Sequence, residues 1–364
     1  MRIADIIQEL ERWCPRSWQE TYDNSGLLVG DAGSTCTGVL CALDATEEVI
    51  AEAIDKGCNL VVAHHPIIFG GLKRIDPNHY VGRSIIRAIR HDIAVYAIHT
   101  NLDNNLEGVN RTMADRLGLV NRSLLAPKTG QLKKLTTYVP EKHVDAVADE
   151  LFRSGAGHIG RYDECSFRQL GVGSFRPLEG TNPFVGQIGS RHQESEWKLE
   201  VLYPSHLDRE ILQALKRSHP YEEVAYDLVS LSNVHPMIGS GLIGELPESL
   251  STDDFLDQVK SAFGSGSLRF AGPNAPAIRR VALCGGAGSF LISKALAAGA
   301  DAFLTADLKY HEFFEADEKM LLVDLGHYES EQFTIGLIQS FLAEKFLNFA
   351  VLKTERTTNP VQYH

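Results

Sequence analysis

Between Thr37 and Leu117, short apolar runs alternate with stretches whose apolar positions recur at helical spacing. Thr37–Leu43 (TGVLCAL) reads as a strand, and Glu47–Lys56 as a helix that Gly57 ends. Asn59–Ala63 (NLVVA) is a β-branched run of the kind buried in a parallel sheet. Arg83–His91 predicts another helix, Ile93–Ile98 (IAVYAI) another strand, and Gly108–Leu117 the next helix. The order βαβαβα predicts an α/β layer with helices on the sheet faces.

The same pattern returns near the end of the chain. Val39–His65 superimposes on Val281–Asp307 without a gap, with identities at Val39/Val281, Ala45/Ala287, Ile50/Ile292, Ala53/Ala295 and Gly57/Gly299. A second superposition lays His99 and Asp103 over His327 and Glu331, each pair after an apolar strand and before a helix. Two related α/β halves are expected, with strand ends meeting at one place.

The middle of the chain differs. Leu132–Val139 predicts a strand, His143–Arg153 a helix and Gly155–Arg176 a glycine-punctuated pair of strands. Trp197–Tyr203 predicts a strand, Leu207–Arg217 a helix and Tyr221–Leu231 a final strand. The order is read as βαββαβ, a ferredoxin-like module inserted into a split parent domain. The expected divisions are residues 1–127, 128–234 and 235–364.

Composition narrows the classes of function. Lys and Arg number 35 against 47 Asp and Glu, a formal charge of −12, which disfavours a primary nucleic-acid binder. No apolar run reaches the roughly 18 residues of a membrane helix, and the opening MRIADIIQELERW reads as an amphipathic helix rather than a signal peptide. A cytoplasmic protein is therefore expected. Six scattered cysteines without a CxxC pair argue against a disulfide framework or a thiolate zinc knuckle.

The chemistry-bearing residues cluster at predicted strand ends. His64-His65-Pro66 follows NLVVA, where open α/β sheets bind ligands. Consecutive strand side chains point opposite ways, so either the chain turns to bring both imidazoles to one site or each serves a different ion. His99 to Asp103 and His327 to Glu331 share the form His-x-x-x-carboxylate, which on a helix puts both groups on one face. Imidazoles with carboxylates and no cysteine suit zinc, manganese or iron, and a carboxylate can bridge a pair of such ions.

The motifs AHHPIIF, IHTNLDN, ADLKYHEF and LGHYESE, with the loop Tyr22-Asp23-Asn24-Ser25-Gly26-Leu27, closely resemble those of the Nif-three-like family, known as GTP cyclohydrolase 1 type 2 homologues. Gly157–Gly160, Phe175–Pro177 and His219–Glu223 resemble the insert of its longer bacterial members, which is similar to CutA and PII modules. The resemblance implies two divalent ions, one on His64 and Asp103, the other on His65 and His327, with Glu331 bridging. It also implies a homohexameric ring and, as substrate, GTP opened at C8 of its imidazole ring.

Other residues are open to two readings. His99 could be a further ligand, a general base or an orienting residue; His311 could be a proton donor reaching the cavity or a surface helix cap. Gly285-Gly286-Ala287-Gly288-Ser289 could cradle an anion or make a tight strand-to-helix turn. His219–Glu223 reads as structural, and Arg279-Arg280 as a solvated strand start. The insert could gate the cavity or sense a small ligand. The functional expectation is a dinuclear metal-dependent hydrolase in which His99 or His311 moves a proton. The alternative is a non-enzymatic metal-storage, delivery or sensing protein.

Overall fold

The computed structural model describes residues 1–273 and 277–364. In chain order, the first half holds α1 (Ile3–Trp13), β1 (Gly26–Val29), β2 (Val39–Ala42), α2 (Glu47–Asp55), β3 (Leu60–Ala63), α3 (Tyr80–Arg90), β4 (Ala94–Ala97), α4 (Thr100–Asp103), α5 (Val109–Leu117) and β5 (Val120–Pro127). The middle holds β6 (Leu132–Pro140), α6 (Val144–Arg153), β7 (Ser166–Phe175), β8 (His192–Pro204), α7 (Asp208–Ser218) and β9 (Tyr226–Ser230). The last part holds β10 (Gly239–Leu250), α8 (Thr252–Phe263), β11 (Arg269–Ala271), β12 (Ile278–Ala287), α9 (Ile292–Ala297), β13 (Ala302–Ala306), β14 (Leu321–Asp324), α10 (His327–Glu331), α11 (Thr334–Lys345) and β15 (Val351–Lys353). The chain forms two compact units, Met1–Ala126 with Met237–His364, and Pro127–Pro236.

The larger unit has two sheets, ordered β1-β4-β3-β2-β15 and β11-β14-β13-β12-β10-β5. In the first, β2, β3 and β4 run parallel and β1 lies antiparallel on β4. In the second, β12, β13 and β14 run parallel and β11 lies antiparallel on β14. The repeat extends to register: Val39 pairs with Leu60 as Val281 pairs with Ala302. It slips at the next strand. Ala63 pairs with Ala97, two residues before His99, whereas Thr305 pairs with Asp324, three residues before His327. Gly326, at φ 99°, lies in the longer turn, a conformation few other residues adopt.

Alternation along the strands explains the layers. Val39, Cys41, Leu60, Val62 and Tyr96 point to one face, against Ile6 and Leu10 of α1 and Ile338 and Leu342 of α11. Leu40, Ala42, Val61 and Val95 point to the other, against Val49 and Ile50 of α2 and Ile85 of α3. In the second sheet Val281, Leu283, Leu304 and Val323 meet α5 and α8, while Ala282, Phe303 and Leu322 meet α9. With both faces covered, only the strand ends are free to carry polar chemistry.

The smaller unit is an antiparallel sheet ordered β7-β8-β6-β9, with α6 and α7 packed on Leu135, Val139, Leu199 and Val201. This is the ferredoxin-like arrangement of a βαββαβ chain. One expectation is corrected: Gly155–Arg176 holds one strand, β7, and its earlier glycines sit in a turn with Ile159 bridging Tyr162. The remaining strand is β8, which begins at His192 rather than Trp197. The cysteines are free, and all but Cys165 are buried. Among the described residues no helix is long and apolar enough to cross a membrane.

Candidate metal centre

The ends of the parallel strands converge within the larger unit. β3 delivers His64 and His65, α4 follows β4 with His99 and Asp103, and α10 follows β14 with His327 and Glu331. His64 is fully buried; its Nδ1 donates to the Ile98 carbonyl at 2.8 Å, which leaves Nε2 as a lone pair. That Nε2 stands 3.5 Å from Asp103 Oδ1 and 3.8 Å from Glu331 Oε1. His65 Nε2 stands 2.9 Å and His327 Nε2 3.1 Å from Glu331 Oε2, and the two ring nitrogens are 3.2 Å apart. Two donor sets result, His64–Asp103–Glu331 and His65–His327–Glu331, joined by one carboxylate.

These sets fit divalent cations. Ligands at about 2.0–2.2 Å from a tetrahedral ion stand about 3.3–3.6 Å from one another, close to the spacings above. His64 Nε2 and Asp103 Oδ1 are buried without any hydrogen-bond partner, an arrangement that costs free energy unless something else occupies them. Behind the rings stand carboxylates. His65 Nδ1 meets Asp44 Oδ1 at 2.7 Å, His327 Nδ1 meets Asp307 Oδ2 at 2.6 Å, and His99 Nδ1 meets Asp23 Oδ1 at 2.8 Å. Such partners fix the tautomer and turn Nε2 inward, as around histidine metal ligands generally.

The cluster gathers more negative charge than its imidazoles neutralise. Burial, then the charge of Glu331, pushes Asp103 up to about 8. Burial opposes the charged form of His65, but its bonds to Asp44 and Glu331 prevail and raise it to about 9. For His327, burial is likewise outweighed by Glu331 and Asp307, which raise it to about 11. Glu331 is buried too, yet the facing imidazoles hold it well below the usual carboxylate range. Protons thus sit where cations would do the same electrostatic work.

His65, His99, Asp103, His327 and Glu331 line a cavity of about 350 Å³, with Tyr22, Phe69 and Phe290 among its walls. His99 presents a ring nitrogen within 4.8 Å of those of His64 and His65. His311 does not join them. It is exposed, with its ring against Tyr310 and Phe314, because the segment after β13 turns outward at Asp307 (φ 57°). The anion-cradle reading of Gly285–Ser289 is also corrected. The amides of Gly285, Gly286 and Gly288 donate to Asn110, Ser330 and Thr305, so they are not free for a phosphate. A Cβ on Gly286 would lie 2.4 Å from Glu331 Oε1, so the glycine lets β12 pass close to that carboxylate. In the smaller unit His219 is structural, bonded to the Tyr138 carbonyl and the Tyr221 amide. Arg279 and Arg280 are exposed at a strand start, their amides donating to Asp301.

Asp23, Asp44 and Asp307 escaped the motif reading, although each carries a signal. Asp44 ends the β2 segment as His65 ends that of β3, and Asp307 is the repeat counterpart of His65. Asp23 also accepts from the Thr100 amide and hydroxyl and from Ser25, which ties the loop before β1 to α4. The end of the chain supports the same region: the Thr358 hydroxyl donates to Asp44, and Asn359 Nδ2 donates to Glu329 of α10 at 3.0 Å.

The sequence model of the family described as Duf34/NIF3 (NGG1p interacting factor 3) matches residues 1–360. The chain is 41% identical to the GTP cyclohydrolase 1 type 2 homolog of Halalkalibacterium halodurans, with all of both chains aligned. It is 37% identical to the protein of the same name from Bacillus subtilis, over 98% of this chain and 97% of the other. Among solved structures, a Bacillus cereus protein related to NIF3 superimposes with a TM-score of 0.86 at 35% identity, covering 100% of this chain and 99% of that one.

Proposed function

This chain belongs to the Duf34/NIF3 family, and on that premise we propose a metal-dependent hydrolase that holds two divalent cations, zinc, manganese or iron. The observation that carries the reading is the one carboxylate common to two donor sets, with Glu331 Oε1 toward His64 and Oε2 toward His65 and His327. Five protein donors for two ions leave open positions, which is the character of catalytic rather than structural sites. When bound, such a pair would lower the pKa of a water toward neutrality and polarise a substrate oxygen.

The chain itself orients and moves protons. Asp44, Asp307 and the Ile98 carbonyl hold the rings of His65, His327 and His64 so that their Nε2 atoms converge. Asp23 holds His99 in the same way at the edge of the cavity, where we assign it the transfer of a proton to or from substrate. Tyr22 and Phe69, with ring centres 6.2 Å apart, offer an apolar wall for a planar group. A nucleotide suits that wall, in keeping with the name borne by the curated relatives.

Metal analysis of the reloaded protein is expected to give about two ions per chain, with at least one lost in Glu331→Gln. A screen of GTP and phosphoesters is then expected to reveal turnover that His99→Gln lowers at unchanged metal content, about a hundredfold or more. Full occupancy with every compound untouched would instead favour metal storage or sensing. A homohexamer in the cytoplasm is part of the same proposal, and a mass by light scattering other than six chains would count against it.

A further inference from the structure

The cavity at the metal centre contains an acid that the cations do not account for. Glu20 lines it beside Tyr22 and Phe69 yet belongs to neither donor set, and no Lys or Arg is among the lining residues. Its side chain is held in place. Asn104, only 2% exposed, donates from Nδ2 to Glu20 Oε1 at 2.8 Å and to the Trp18 carbonyl at 2.9 Å. Asn104 Oδ1 in turn accepts from the Ser240 hydroxyl at 2.7 Å, so β10 steadies the residue that steadies Glu20. The Glu20 amide donates to Thr100 Oγ1 at 2.9 Å. Backbone and side chain of Glu20 are thus both tied to the segment that carries His99 and Asp103.

The surroundings of Glu20 suit a flat ring. The ring centres of Tyr22 and Phe69 are 6.2 Å apart, and that of Phe69 lies 6.0 Å from His99. Burial and then the charge of Glu20 raise the Tyr22 hydroxyl, which marks the acid as a close neighbour of that ring. A carboxylate accepts at about four lone-pair sites, more than Asn104 occupies, and it pairs side-on with N–H donors. An edge that presents an acceptor would be repelled, and phosphate shares the sign of Glu20. Aromatic faces with a hydrogen-bonding edge are also how enzymes read a base outside the duplex.

We propose that Glu20 is a specificity-determining residue that accepts from the ring N–H of a lactam edge, on a planar heterocycle whose face lies against Tyr22 and Phe69. A second donor beside the first, as in a 2-amino lactam, would engage the other carboxylate oxygen. The inference rests on the hydrolase reading and names the class of its substrate: a lactam-bearing ring, not an adenine-like ring with an acceptor at that edge. A site built around such a bond rejects the analogue without the donor sharply, since the carboxylate is then left facing an acceptor or a methyl group.

Calorimetric titration of the full-length, zinc-loaded chain with inosine, 1-methylinosine and adenosine tests it. The three share a ribose and a two-ring base, and only inosine carries the ring N–H. Inosine is expected to bind about tenfold tighter or more than either of the others. Glu20→Gln is expected to remove most of that preference with its metal content unchanged, while Phe69→Ala weakens all three compounds. Equal wild-type affinities, no saturable binding of inosine, or a folded Glu20→Gln variant with the preference intact would overturn the proposal. Metal analysis of the same samples keeps the two readings apart. Two ions per chain without the preference would sink the role of Glu20 alone. The preference in a chain that holds no ions would sink the hydrolase reading and leave Glu20 as the residue that reads the ring.

Discussion

At the residue scale the proposed metal centre depends on groups that do not line the cavity. Asp307 accepts from His327 at a backbone conformation asparagine also tolerates, so Asp307→Asn removes charge and little else. Competition against a chelating dye is expected to show a 10–100-fold loss of metal affinity, with thermal stability nearly unchanged. Gly286→Ala acts from the other side. Its methyl would displace the Glu331 carboxylate, and its φ of 63° disfavours any side chain. Loss of one ion per chain is expected, together with about 1–2 kcal/mol of stability in urea unfolding. The five residues proposed as ligands were legible because each stands just past an apolar strand in a motif of fixed form. Asp23, Asp44 and Asp307 were not, since a lone aspartate at a strand end is also ordinary turn chemistry. His311 misled for the opposite reason. It sits close in sequence to the counterpart of His65, yet the turn at Asp307 carries it outward.

At the element scale the repeated βαβ pattern positions the site, because fully covered sheets leave chemistry to the strand ends. Phe303, fully buried in the middle strand of the second sheet, fixes that geometry against α9. Phe303→Ala is expected to cost about 3–5 kcal/mol and to lower the melting temperature without altering which residues bind metal. The parallel strands could be read from their apolar runs, whereas the start of β8 could not. His192–Glu196 (HQESE) has no apolar residue on either face, so no hydrophobic run announces it. The one-residue difference between the turns before His99 and His327 was hidden for a related reason: a single glycine absorbs it. The strand pattern indicates which segments form strands, whereas their register is set by turn lengths such as the one Gly326 lengthens.

For the whole molecule, the response of the smaller unit to acid can be read from its histidines. In the smaller unit, burial and then the neighbouring His235 pull His206 down to about 4, and burial also lowers His219 and His235. A histidine depressed in the folded state refuses protons that the unfolded chain accepts below about 6.5, so stability is full above that pH and declines toward pH 4. His206 alone accounts for about 1–3 kcal/mol. Urea unfolding followed through amides of β6 to β9 is expected to show a lower midpoint at pH 5 than at pH 7; equal midpoints would contradict the burial of these rings.

The last residues carry a practical consequence. Thr358 steadies the carboxylate behind His65, and Asn359 braces α10, which bears His327 and Glu331. Trimming the polypeptide after Arg356 should therefore behave like a graded ligand mutation, leaving a folded protein with weaker grip on its ions. Purification handles belong at the amino end, and preparations nicked near the carboxyl end are expected to lose metal on dialysis sooner than intact material does.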